Sequence, residues 1–224
     1  MKQTKFPGVF EQRTQKRTNL FTKNLVPGKK VYDERLVVEQ NIEYRDWEPK
    51  RSKLASAILK GIREIGIKEG DVVLYLGAAS GTTASHVSDI VGEKGFVFAL
   101  DFAPRVVRDL VFVCEARKNM APLLFDANKP LEYKDRITPQ VDIVYQDIAQ
   151  KSQVEIFFKN VDMFLKKDGY CLLAVKSRSI NVVENPRKIF DQVRKELEKH
   201  LKIIDFKTLE PFERDHMLFV CKKA

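Results

Sequence analysis

Three cysteines in 224 residues, Cys114, Cys171 and Cys221, are odd in number and too far apart to form a disulfide framework. Each lies inside an apolar segment with no metal-ligand partner nearby, so they read as buried thiols of a reducing compartment. Histidine is equally scarce: of His86, His200 and His216, no two have metal-ligand spacing, which argues against a zinc site. Neither a Gly-x-Ser-x-Gly elbow nor a Cys-His nucleophile pairing occurs. No apolar run approaches the length of a membrane span, and the first twenty residues are polar and basic without a signal-peptide core. The expectation is a soluble intracellular protein that makes no membrane contact. Internal repeats and low-complexity linkers are also missing.

Hydrophobic residues make up 44% of the chain, which supports a globular protein of one ordinary domain with a small appendage. The formal charge is +9, which favours a polyanionic partner, nucleic acid first and an anionic membrane surface second. Residues 1–53 hold 13 Lys/Arg against 7 Asp/Glu, so two thirds of the net charge lies in the first quarter of the chain. A solvated basic surface is the plainer explanation, because none of these charges forms a block.

Within residues 1–48 the stretches FPGVFEQ, TNLFTKNLVPG and RLVVEQNIEYRDW alternate partially with period two and are separated by Pro-Gly turns at 7–8 and 27–28. They predict a small antiparallel β module. Pro49 opens the remainder, 49–224. Ser52 can cap a helix with apolar face Leu54, Ala57, Ile58, Ile62 and Ile65, ending near Gly66. Lys53 falls in its first turn, where the helix dipole disfavours a cation. The placement is odd for mere solubility, although a solvated lysine is the plainer explanation.

The β-branched run Val72–Leu76 predicts a buried parallel strand, Gly77–Gly81 a turn, and the spacing of Val87, Ile90 and Val91 a helix. A dinucleotide fingerprint needs glycine where this turn has Gly77, Ala79 and Thr82, so an alanine methyl obstructs the pyrophosphate, and no Gly-Lys-Ser/Thr follows. The next strand, FVFALD, ends on Asp101, an acid placed to take two ribose hydroxyls or to cap a loop. A glycine turn without a pyrophosphate cradle, followed by such an acid, suits an adenosyl ligand such as S-adenosylmethionine. Further strands are predicted at PLLFDAN, ending at Asp126, at VDIVYQDIAQ, with Asp147 past its apolar run, and at GYCLLAVKS, with Lys176 in the same relative place. Helices are expected from Pro104 to about Asn119, at 151–166, and from Pro186 to about His200. KIIDFKTLEP and HMLFVCKK leave no room for a helix between them and form a hairpin, which brings His216 near the same rim. The fold class is therefore α/β: a Rossmann-like sheet of the class I methyltransferase type with an antiparallel last strand, preceded by the β module.

The string YLGAASGTTASHVSDIVG, with RSKLASAIL before it, DFAPRVVRDL after it and LEPFERDH near the C-terminus, closely resembles the fibrillarin family, the RNA 2′-O-methyltransferases of box C/D ribonucleoproteins. The resemblance runs from about Phe6 to the end, with the four blocks in the family's order. It implies a catalytic set of Lys53, Asp147, Lys176 and His216. It also implies cofactor blocks that hold Gly77, Ala79, Gly81, Thr82, Thr83, Asp101, Phe102, Asp126, Ala127, Asp147 and Gln150. The expected roles are Lys176 as the base for the 2′-hydroxyl, favoured by a second ammonium at Lys53, Asp147 as holder of the lysine and of the methionine amino group, and His216 as an orienting or RNA-contacting residue. Asp101 stands where many relatives have Glu, and Glu48-Pro-Lys50 where Asn-Pro-Phe is usual.

The implied partners are a guide RNA, its target RNA, a Nop-domain scaffold protein and a kink-turn-binding ribosomal-type protein. With no glycine-arginine-rich tail, the archaeal form and a cytoplasmic location are expected, a nucleolar one belonging to eukaryotic members. The rival readings are a non-catalytic RNA-protein scaffold with the same fold, which the retained lysine-aspartate-lysine set opposes, and a small-molecule methyltransferase, which the basic balance opposes.

Overall fold

The computed structural model describes every residue except 16, 138 and 139. Its first sheet is antiparallel: β1 (Lys2–Gln3), β2 (Val9–Arg13), β3 (Thr18–Lys23), β4 (Leu36–Glu39) and β5 (Ile42–Trp47), in spatial order β1-β2-β3-β5-β4. RLVVEQNIEYRDW proves to be two strands, because Gln40 and Asn41 adopt φ 51° and 62° and Glu39 pairs with Ile42. Two successive left-handed residues make the tight hairpin whose twist matches its strands.

Ser52 caps α1 (Lys53–Leu59), accepting from the Ala55 N–H at 3.3 Å. The helix stops well before Gly66. Gly61, at φ +78°, donates to Ile58 O, and Ile62 N–H reaches back to Ala57 O, which together close the last turn in a Schellman motif. Ile62 and Ile65 are still buried, but from the loop that follows.

The second sheet contains β6 (Val72–Leu76), β7 (Phe96–Asp101), β8 (Met120–Leu124), β9 (Val141–Gln146), β10 (Leu165–Lys176), β11 (Lys202–Thr208) and β12 (His216–Lys222). Its order is β11-β12-β10-β9-β6-β7-β8, with β12 antiparallel to both neighbours and the central pairs parallel. The intervening helices are α2 (Thr82–Val91), α3 (Pro104–Glu115), α4 (Gln153–Phe164), α5 (Ser177–Ile180) and α6 (Pro186–Glu198). Two sequence boundaries move. β8 ends at Leu124, so Asp126 lies in the loop beyond it. α3 ends at Glu115, after which Arg117 turns inward to the Asp89 carboxylate at 2.6 Å.

The two sheets share one apolar cluster: Phe6, Val9, Leu20 and Trp47 of the first pack in the same cluster as Leu54, Val87 and Ile90. A division at residue 48 separates the sheets but not their core. The three cysteines are buried free thiols, as their apolar surroundings predict.

Candidate active site

Parallel strands β6, β7 and β9 end on one rim, and a cleft of about 370 Å³ opens there. Gly77, Ala79, Asp101, Phe102, Ala127, Asp147 and Gln150 line it, together with Leu100, Ile148 and Ala149, which the sequence reading missed. Gly81, Thr82, Thr83 and Asp126 are not in its wall. Thr83 instead donates to the Ser52 hydroxyl at 3.0 Å, behind the turn, and Asp126 accepts from the Asn128 N–H at 2.9 Å within its own loop.

The turn is glycine at position 77 for a reason internal to the chain. Gly77 has φ +83°, and a Cβ there would lie 2.2 Å from the Asp147 carbonyl oxygen. The Gly77 turn and the segment leaving β9 are therefore in direct backbone contact, and any side chain would push the Asp147 end of the rim away. Asp101 reaches back over the turn, accepting from Ala79 N–H at 2.9 Å and Ala103 N–H at 3.0 Å. Those bonds fix its carboxylate and leave lone pairs for a ligand.

Lys53 and Asp147, 94 residues apart, meet at the edge of the cleft. The Lys53 ammonium is 3.0 Å from both carboxylate oxygens, and the two side chains keep only 21% and 18% exposure. Burial disfavours the Lys53 ammonium, but the charge and hydrogen bond of Asp147, with Glu213 behind, outweigh it and hold its pKa above the ordinary lysine value. The cation in the first turn of α1 thus has its reason in a carboxylate delivered by β9. The lysine that Asp147 holds is Lys53.

Lys176 ends β10 exposed, and in the β10–β12 register it is paired with His216. His216 is 7% exposed, and its Nδ1 lies 2.6 Å from the Arg214 carbonyl oxygen. Burial lowers its pKa below the usual imidazole value and Lys53 adds to that, against the Arg214 carbonyl, Glu213 and Asp147. Glu213, absent from the sequence-based set, stands 3.9 Å from Nδ1. Its signal was its place three residues before His216 in the LEPFERDH block. Beneath these groups Tyr75 and Tyr145 pack with ring centroids 4.5 Å apart, and burial pushes both phenols well above their ordinary pKa. Two-residue alternation puts Tyr75 on the face of Gly77 and Tyr145 on that of Asp147, a signal readable in the sequence.

Among the described residues the cleft wall contains two carboxylates, Asp101 and Asp147, and no lysine or arginine. Such a wall rejects a phosphate chain and accepts hydroxyls and cationic groups. Its volume falls in the range of small-ligand sites, roughly 300–1,000 Å³.

The fibrillarin family model matches residues 1–224. A fibrillarin-like rRNA/tRNA 2′-O-methyltransferase of Thermococcus onnurineus is 50% identical over 227 residues, covering 100% of this chain and 99% of its own. The crystal structure of Aeropyrum pernix fibrillarin with natively bound S-adenosyl-L-methionine superimposes with a TM-score of 0.90 at 44% identity, over 98% of this chain and 96% of that one. A chain of a fibrillarin/Nop5p complex does so with a TM-score of 0.85 at 41% identity, over 92% and 94%. This chain belongs to the fibrillarin family.

Proposed function

We propose that the chain transfers the methyl group of S-adenosylmethionine to ribose 2′-hydroxyls of rRNA and tRNA, inside a box C/D ribonucleoprotein whose guide RNA selects the nucleotide. The observation that carries this reading is the double duty of Asp147, which lines the cleft and holds the Lys53 ammonium at its edge. One carboxylate joins a ligand pocket to a cluster of ionisable side chains at the rim where open α/β sheets bind their ligands.

When bound, S-adenosylmethionine supplies an electrophilic methyl on a sulfonium. The Asp101 carboxylate, fixed by two backbone N–H groups, is the acceptor for the ribose hydroxyls. Leu100, Phe102 and Ile148 offer apolar walls for the adenine, and Asp147 attracts the methionine ammonium. Ala127 and Gln150 close the cleft around the ligand. Lys53 keeps Asp147 from turning away, and Lys176, exposed at the same rim, meets the RNA. Holding reactants in an attack geometry of this kind lowers the barrier by up to about 7–11 kcal/mol.

A Nop-domain scaffold protein is the protein partner, supported by the likeness to the fibrillarin/Nop5p complex. A guide RNA and a kink-turn-binding protein complete the assembly, since the chain brings a basic N-terminal quarter but no base-reading module. The β module at residues 1–48 and its neighbouring surface are offered as the contact with that assembly. Calorimetry tests the cofactor reading: the purified chain should bind S-adenosylmethionine, and Asp101→Ala should weaken binding by about 1–3 kcal/mol. Unchanged affinity removes Asp101 from the site. Site-specific methylation by the lone chain, without a guide RNA, would contradict the dependence on a complex.

A further inference from the structure

Resting on the methyl-transfer reading, we propose that Nε2 of His216 accepts the proton of the ribose 2′-hydroxyl, and that Glu213 is a positioning residue that holds the ring in the tautomer leaving Nε2 open. The argument begins at Nδ1, which lies 2.6 Å from the Arg214 carbonyl oxygen. A carbonyl only accepts, so Nδ1 carries a hydrogen whatever the charge of the ring. The neutral ring then has its lone pair on Nε2, and Nε2 makes no hydrogen bond among the described residues. Glu213 Oε2, 3.9 Å from Nδ1, adds negative charge on the donor side, favours the proton there, and stabilises the imidazolium once Nε2 is protonated.

The neighbours leave few alternatives. Lys53 is held as an ammonium by Asp147, and both Asp147 oxygens already accept from it. Tyr145, close to Glu213 and Asp147, is kept a neutral phenol by burial. Lys176 is paired with His216 across β10 and β12, on the solvent side. Around the ring, then, stand Lys53 from α1, Asp147 from the exit of β9, Lys176 from β10, and Glu213 from its own loop. Burial and Lys53 lower its pKa more than the Arg214 carbonyl, Glu213 and Asp147 raise it, so the neutral ring predominates at pH 7.

The step balances. The 2′-oxygen forms its new bond to the methyl carbon while its proton passes to Nε2, and the electron pair of the broken carbon–sulfur bond returns to sulfur as a neutral thioether. The positive charge that left the sulfonium now resides on His216, which releases the proton to solvent at the rim.

Two measurements test this. In the ¹⁵N-labelled full chain, which has three histidines, imidazole NMR should show His216 protonated at Nδ1 and bare at Nε2, titrating below the ordinary histidine value. Glu213→Gln should move that titration to lower pH, because a carboxylate that favours the charged ring has gone, and Glu213→Asp should move it back towards the parent. A hydrogen on Nε2 in the neutral ring, or a titration unmoved by Glu213→Gln, overturns the proposal without any assay of activity. In the assembled guide-RNA complex, single-turnover methyl transfer should fall on the acid side with the inflection seen by NMR. That inflection should shift to lower pH in Glu213→Gln, a shift that a merely structural role for Glu213 would not produce. A rate that keeps climbing to pH 9 with no acid inflection makes the base a lysine and overturns the proposal. An inactive parent complex overturns the methyltransferase reading and the proposal with it. An active parent with a protonated neutral-ring Nε2 overturns the proposal alone.

Discussion

His86 and His216 are both buried, and each lies among cations and carboxylates, yet their surroundings differ in one respect. His86, in the seam between α2 and the first sheet, has both nitrogens engaged, with the hydroxyls of Thr22 and Tyr32 each at 2.7 Å, and stacks on Trp47 at 4.9 Å. Arg45 beside it binds Glu34 and Asp89 at 2.8 and 2.9 Å with no solvent exposure, and Arg117 adds a second cation to Asp89. In this seam each charge is met by its opposite. At the strand tips Lys53 and Asp147 satisfy one another, whereas among the described residues His216 uses only Nδ1 and Lys176 projects from the rim. Saturated valence makes a joint; valence left open at a cleft makes a reactive site.

The largest expected effect is on the seam. Arg45→Ala leaves Glu34 and Asp89 buried with part of their counter-charge gone, and should destabilise the fold by about 3–5 kcal/mol in denaturant melts, the cost of breaking rather than replacing a buried pair. A loss under about 1 kcal/mol would show that water enters the seam and that the two regions do not differ as described.

His86→Phe should cost about 1–3 kcal/mol, because the Thr22 and Tyr32 hydroxyls each lose one hydrogen bond and keep only those to Asp89 and to the Asp46 carbonyl. It also has a pH signature. Burial, then Arg45 and Arg117, lower the His86 pKa well below its ordinary 6.5, so the unfolded chain binds a proton more readily than the folded one. His86 therefore leaves stability at its full value above about pH 6.5 and reduces it as pH falls below that point towards the folded pKa. The acid slope of stability should be shallower in His86→Phe, and an unchanged slope would place the acid sensitivity elsewhere. At the small end, Glu155→Ala removes an exposed i,i+4 pair with Lys159 and should change stability by only about 0.3–0.5 kcal/mol.

The sequence made the rim legible and hid the seam, for the same physical reason. Asp101, Asp147 and Lys176 stand out because each follows an apolar run, and alternating strands and helices carry such tips to one side of a sheet. His216 could be brought there because the last two strands leave no room for a helix. Arg45, Asp89 and Arg117 each read as a solvated charge in one dimension, since their partners lie 28 and 44 residues away along the chain. Lys53 was readable as an anomaly of the helix dipole, but its cause, Asp147, is supplied only by folding. Local turn chemistry accounts for the other misses. Gly61 ends α1 where apolar spacing alone ran on to Gly66, and Gln40-Asn41 turns a hairpin without glycine.

The most direct test sets the two histidines against each other in single-turnover methyl transfer by the assembled guide-RNA complex, with each variant assayed at a temperature where it is fully folded. His216→Asn should slow transfer by about 10²–10⁴, the usual worth of a proton acceptor, while His86→Phe should keep the parent rate. Equal rates in the two variants, or a slower rate in His86→Phe, would contradict the assignment of chemistry to the rim and of structure to the seam.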